Sequence, residues 1–307
     1  MTERVKKGLS ILIPTYNFVC KELVAILHQQ AETLFVSESE EPADYEIIVA
    51  DDGSINQETI EKNKDINTIS NCRYIVCEKN RGRAGIRNYL AEISQYDRLL
   101  FLDSDMNICN DEFLKRYIDY HETDVVDGGI KVCDQDEIYI SNLRYKYEKS
   151  SESRFSAEKR NDDSNHNFHT ANFFISRKIM LSYPFDERFN KYGYEDVLFG
   201  KTLEEHKIAI THIDNPALFD IFEDNISFIA KTEESLRTLY HFRNELQGYS
   251  TLLFYIEKLR KYHLLWAVKL LQKVLGQYEK RNLIGNNPSL TFFNLYKLGY
   301  YLSLTNQ

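Results

Sequence analysis

The stretch RLLFLDSDMN, residues 98–107, decides how the rest of the chain is read. Leu99 to Leu102 form an unbroken apolar run, which predicts a strand buried on both faces. The run ends in two aspartates, Asp103 and Asp105, separated by Ser104. Like charges so close repel, and each is costly out of water unless something pairs with it. Two explanations stay open on these residues. Asp105 caps the next element at a turn in solvent, or both acids face one side and hold a divalent, oxygen-seeking cation whose shell a diphosphate completes.

Three similar segments precede it. LSILIPTYN (9–17), YEIIVADDGS (45–54) and CRYIVCEKN (72–80) each run from an apolar strand into a polar cluster. Between them lie amphipathic stretches, such as CKELVAILHQQAETLF (20–35) with Leu23, Ile26, Leu27 and Leu34 at helical spacing. NQETIEKNK (56–64) starts a helix with acids in its first turn, and RGRAGIRNYLAEIS (81–94) is a glycine-punctuated loop leading into another. Four strands alternating with three helices predict an α/β protein with a mostly parallel sheet and right-handed crossovers. All four polar clusters fall at the C-terminal ends of strands, the edge where open parallel sheets bind ligands. Neither GxGxxG nor GxxxxGK[ST] is present, so a dinucleotide fingerprint or P-loop does not explain them.

Within these clusters, Asp51 and Asp52 can accept from a uracil imide or a ribose hydroxyl, or simply make an Asp-Gly turn. Arg81, Arg83 and Arg87 stand among glycines that let backbone approach a ligand, and their guanidinium forks suit phosphate; surface charge at a helix start is the plain alternative. Further on, GYEDVLFG (193–200) sets Glu195 and Asp196 at a helix N-terminus, where the dipole keeps a carboxylate ionised and fit to act as a base. His166 and His169 lack further ligands at zinc spacing.

Composition sets the outer bounds. The chain has 307 residues, 43% hydrophobic and 28% charged, as ordinary globular proteins do. Its net charge of −9 argues against a nucleic-acid partner. From Lys231 onward, eleven Lys and Arg face five Glu, a net of +6, which leaves −15 for residues 1–230. Five cysteines without a CxxC pair fit a reducing cytoplasm. The apolar run Leu9–Ile13, broken by Ser10 and stopped by Pro14, is too short for a signal peptide, and no run approaches membrane-spanning length. Residues 141–165, rich in charge and serine, are expected to form a mobile helix-loop excursion, and the chain after about 230 to be wholly helical.

Taken together, SILIPTYN, IIVADDGS, EKNRGRAGIRN, FLDSDM and GYEDVLFG resemble the family-2 inverting glycosyltransferases of the GT-A fold, in order and spacing, over roughly residues 8–225. The resemblance implies a Rossmann-like nucleotide-sugar-binding domain over 1–230 and a helical C-terminal extension over 231–307. It implies transfer of a sugar, with inversion, from a nucleotide-diphosphate donor, usually a UDP-sugar, to a glycan or glycolipid acceptor. Pro14, Thr15 and Tyr16 would line the base and ribose pocket, and Asp52 would hold the uracil with help from Arg87. Asp103 would contact ribose or metal-bound water, with Ser104 beside it, and Asp105 would ligate Mn2+ or Mg2+. Asp196 would deprotonate the acceptor hydroxyl and Glu195 would orient the acceptor. Ile86 replaces a common alanine. Where relatives often carry a metal-binding histidine, HIDNPALFDIFEDN (212–225) offers Phe219 and Asp220, with His212 nearby.

The extension has three readings: a helical cap, a homodimer interface, or a peripheral contact with anionic lipid at the inner face of the membrane. Among rival functions, a degenerate nucleotide-sugar-binding regulatory protein on the same fold would be expected to lose the acids kept here. A sugar nucleotidyltransferase would begin with a glycine-rich loop where PTYN stands, and a retaining transferase fits the YED placement less well.

Overall fold

The computed structural model describes residues 6–37, 44–152 and 156–305. The elements begin β1 (Lys6–Thr15), α1 (Lys21–Ala31), β2 (Asp44–Asp51), α2 (Gln57–Lys64), β3 (Cys72–Val76), α3 (Gly82–Ile93) and β4 (Tyr96–Leu102). They continue with α4 (Phe113–Ile118), β5 (Val125–Asp127), β6 (Ile130–Val132), α5 (Asp136–Tyr139), α6 (Leu143–Glu152) and α7 (Ala157–Asn161). Next come β7 (Asn172–Ser176), α8 (Arg177–Ser182), α9 (Glu195–Glu205), β8 (Thr211–His212) and β9 (Ala217–Phe219). Four helices follow: α10 (Asn225–His241), α11 (Thr251–Lys261), α12 (Leu265–Leu283) and α13 (Leu290–Leu304).

The chain divides into two compact units. The first comprises residues 1–131, 155–190 and 199–220; the second comprises 132–154, 191–198 and 221–307. Position 230 therefore falls inside α10 and inside the second unit.

The first unit is built on a seven-stranded sheet in the order β3-β2-β1-β4-β7-β5-β8. β1 lies between two parallel neighbours, and Leu9 to Ile13 are wholly buried, which is why the strand reads as a continuous apolar run. β7 runs antiparallel to both β4 and β5, so the sheet is mixed on that side. Strand order turns back on itself between β1 and β4, the crossing point where such sheets open a crevice at their C-terminal edge. Phe101 stacks on Phe173 at 4.8 Å and Phe185 on Phe199 at 4.1 Å, and these rings centre the core beneath that edge.

The second unit is helical. Tyr147 on α6 meets Phe293 on α13 at 5.3 Å, and Phe228 on α10 meets Phe293 at the same separation. Leu143, Ile229, Leu283 and Tyr296 complete this core. Residues 143–152 of the expected helix-loop excursion are a helix, packed into this core by Leu143 and Tyr147; 153–155 lie outside the described residues. No helix among the described residues is long and apolar enough to cross a membrane.

Candidate functional site

At the C-terminal edge of the first unit's sheet, parallel registers bring Thr15 beside Asp51 and Leu12 beside Phe101, so three polar clusters start level. They are knitted together by hydrogen bonds. The Asn17 amide donates to Ser54 Oγ at 2.6 Å, while Asn17 Oδ1 accepts from the Ile55 and Asn56 amides, both at 3.0 Å. Asn17 has φ +53°, a left-handed conformation that asparagine tolerates. The Asp52 amide donates to the Thr15 carbonyl at 2.8 Å. Gly53, at φ +75°, permits the DDGS turn to pass against Asn80, whose amide would stand 3.0 Å from a Cβ there.

The two acids of DDGS have different duties. Asp51 is fully buried and accepts from the Ser54 amide at 2.7 Å and from the Tyr74 hydroxyl. Asp52, also buried, accepts from the Arg81 amide at 2.6 Å and the Gly82 amide at 3.0 Å. It therefore anchors the NRGR loop to the DDGS turn. Burial pushes its carboxyl up to about 6, against the pull of those two amides. Thr15 Oγ1 donates to the Phe18 carbonyl at 3.1 Å, Pro14 is half-buried, and Tyr16 stands exposed at the rim.

The DSD turn answers the question its sequence raises. Asp103 is held by two guanidinium groups: Arg87 hydrogen-bonds one carboxylate oxygen, and Arg83 stands 3.6 Å from the other. Arg87 is 1% exposed and also donates to the Arg83 carbonyl at 3.1 Å. Its Nε is buried with no hydrogen-bond partner among the described residues. The charge on Asp103 is thus balanced from within the chain. Asp103 is also fixed through its amide, which donates to Ala171 O at 2.9 Å. Ser104 is buried in the turn and Asp105 is partly exposed.

Asn107 is a residue the sequence reading passed over. Its backbone pairs both ways with Leu218, and its side-chain amide reaches both oxygens of Asp220 at 2.9 Å. Asp220 is thereby tied to the DSDMN stretch across 113 positions, a link no local pattern announces. His212, by contrast, lies on β8 inside a buried network. Its Nδ1 faces Arg160 at 2.8 Å and Asp127 at 3.5 Å, and its Nε2 meets the Ser164 carbonyl at 2.8 Å.

A divalent cation fits the DSD turn by donor chemistry: carboxylate oxygens suit Mg2+ or Mn2+, and such ions commonly take one or two carboxylates and leave the rest to phosphate. No group of three or more His, Cys, Asp or Glu side chains among the described residues forms a closed metal cage. Asp105, with Asp103 beside it, is the pair that would hold the ion. Thiol chemistry has no support here, since burial pushes Cys20 up to about 12 and raises Cys77 as well.

Glu195 and Asp196 belong to the second unit and open α9. Glu195 is buried; Asp196 is half-buried and accepts from the Val197 amide at 2.8 Å. The turn before them is set by Gly193 at φ +94° and Tyr194 at φ +70°. Thr238 on α10 donates to the Tyr192 carbonyl at 3.1 Å, and a Cβ on Gly193 would lie 2.7 Å from Ser235 Cβ. The acid pair is therefore carried on a strained turn pressed against α10.

A parallel sheet whose crossing point is ringed by knitted polar loops, with acids and guanidinium groups at its rim, is the architecture of a nucleotide-binding α/β protein. The family can be stated as well: residues 10–183 match the model of glycosyl transferase family 2, and the chain belongs to that family. An uncharacterized glycosyltransferase of Haemophilus influenzae is 30% identical over 111 residues. That match covers 35% of this chain and 40% of the relative, so the chain spans about two fifths of that relative's length. Among solved structures, S. aureus TarS 1-349 in complex with UDP aligns with a TM-score of 0.50 at 18% identity, covering 97% of this chain and 90% of that one. The mannosyltransferase PcManGT from Pyrobaculum calidifontis, in complex with GDP-Man and Mn2+, gives 0.53 at 11% identity, covering 98% and 86%. The GT-A fold and the family resemblance expected from the sequence are both borne out.

Proposed function

We propose that the protein transfers a sugar, with inversion, from a nucleotide-diphosphate donor, a UDP-sugar first, to a hydroxyl of a glycan or lipid-linked acceptor in the cytoplasm. The observation that carries this is the meeting of the PTYN, DDGS, NRGR and DSD loops at one sheet edge, with Arg83 and Arg87 on Asp103. Membership of glycosyl transferase family 2 supports the same reaction class.

In this reading Pro14, Thr15 and Tyr16 line the base and ribose pocket, with the exposed Tyr16 ring offering a stacking face. Asp52, pinned by two amides, presents its remaining lone pairs to the uracil imide. Arg87 positions Asp103, and the more exposed Arg83 is placed to meet a phosphate. Asp103 and Asp105 would hold Mn2+ or Mg2+, which supplies charge neutralisation for the departing diphosphate. Asp196 takes the proton of the acceptor hydroxyl and Glu195 orients it. The hydroxyl oxygen bonds to the sugar's C1 as the C1–O bond to the diphosphate breaks, and the nucleoside diphosphate leaves with that electron pair.

A thermal-shift series with UDP, GDP, CMP and dTDP, each with and without Mn2+, tests the donor class; stabilisation by UDP only with metal is the expected result. Asp196→Asn should then abolish transfer and leave UDP binding, measured calorimetrically, within about twofold. Normal turnover by that variant would refute the base assignment. No shift with any nucleotide would count against the donor assignment, whereas a shift without turnover would favour a degenerate nucleotide-sugar-binding protein on the same fold.

A further inference from the structure

In the second unit, α12 turns a line of large apolar side chains toward solvent. Trp266, Leu270, Val274 and Tyr278 recur every four residues and are 67%, 55%, 69% and 61% exposed. Glu279 and Leu283, on another side of the same helix, are buried. Helical neighbours three residues apart share a face, so Lys269, Lys273 and Arg281 stand beside Trp266, Leu270 and Tyr278. On α11, Phe254 and Tyr255 are also exposed, and its last turn carries Lys258, Arg260 and Lys261. An apolar stripe of this size bathed in water is unfavourable and marks a surface that meets something.

We propose that this face of α12 docks on an anionic lipid bilayer, the helix lying parallel to its plane with Trp266, Leu270 and Val274 in the acyl boundary. The charge selects this occupant. Residues 251–283 hold seven Lys and Arg, of which Lys280 is paired with Glu233, against two Glu, one of them buried, in a protein whose net charge is −9. Basic residues flanking aromatic and aliphatic ones are what an interfacial helix needs: apolar burial plus attraction to anionic headgroups. A second copy is disfavoured, because a two-fold contact would set the same lysines against one another. A nucleic acid would use the charges and the rings but has no use for Leu270 and Val274. This surface stands independently of the transferase reading.

Trp266 is the single tryptophan of the chain and so reports on its own surroundings. With the full chain and vesicles of phosphatidylcholine containing phosphatidylglycerol, its emission should shift to the blue and be quenched by brominated acyl chains. Vesicles of phosphatidylcholine alone should give neither, and high salt should weaken the effect. Lys273→Gln should lower the partition coefficient about fivefold. Val274→Asp should abolish quenching at an unchanged melting temperature, since the side chain is exposed in the folded protein. Absence of quenching with both vesicle types overturns the proposal. So does a blue shift without lipid that grows with protein concentration and a doubled mass, which would assign the face to a second copy. A response to single-stranded nucleic acid and none to vesicles would also overturn it.

Discussion

Arg87 ties the DSD turn to the start of α3 at the C-terminal edge of the sheet. It is almost wholly buried and paired with Asp103, and removing it leaves that largely covered carboxylate only the more distant Arg83 guanidinium at 3.6 Å. Arg87→Met is expected to lower stability by about 3 kcal/mol, read from urea midpoints. Adding Asp103→Asn should recover much of that loss. Asp52 supplies a second test at this scale. Its folded-state carboxyl lies near 6, above the ordinary 3.8. The folded protein therefore binds this proton more tightly than the unfolded chain, and the stability so gained is complete below about pH 4 and lost as pH rises through about 6. Asp52→Asn should remove that part of the pH dependence, seen as the difference between wild-type and variant midpoints across the window.

Among the elements, the turn ahead of α9 is an exacting one. Gly193→Ala would put a methyl group into Ser235 and force φ +94° on an L-residue. A loss of roughly 2 kcal/mol is expected by thermal denaturation. Ser235→Gly should relieve the contact and leave the backbone strain. The elements themselves were largely legible in the sequence. The apolar runs at Leu9–Ile13, Ile47–Ala50 and Leu99–Leu102 are strands because both their faces are covered, and a covered strand needs no alternation. What stayed hidden were partnerships between distant positions. Nothing near Asp51 announces Tyr74, and nothing near Asn107 announces Asp220. The acids of DSD call for positive charge, and for Asp103 part of it comes from Arg83 and Arg87, visible in the sequence as a cluster but not as partners. The helix within the 141–165 excursion is legible, but its place in a core is not, because Tyr145 and Tyr147 do the packing that aliphatic residues usually signal.

At the scale of the whole molecule, the second unit is assembled from three separate pieces of chain. Its core joins Leu143 and Tyr147 of the first piece to Phe228, Leu283, Phe293 and Tyr296 of the last. A chain ending at residue 230 would cut α10 and strip α6 of its partners, leaving apolar surface in water. Such a truncation should bind the dye ANS and melt at a lower temperature than the full chain, although the sheet and its loops remain intact in sequence. The same discontinuity bears on inheritance. A single crossover between two relatives can exchange a contiguous tail, but here it would deliver 221–307 without 132–154 and 191–198. The YED segment and the helix it rests on are encoded on either side of any such breakpoint between 199 and 220. Recombination would separate parts that fit only one another, so variants of this unit should arise by point substitution, or by swaps that carry all three pieces together.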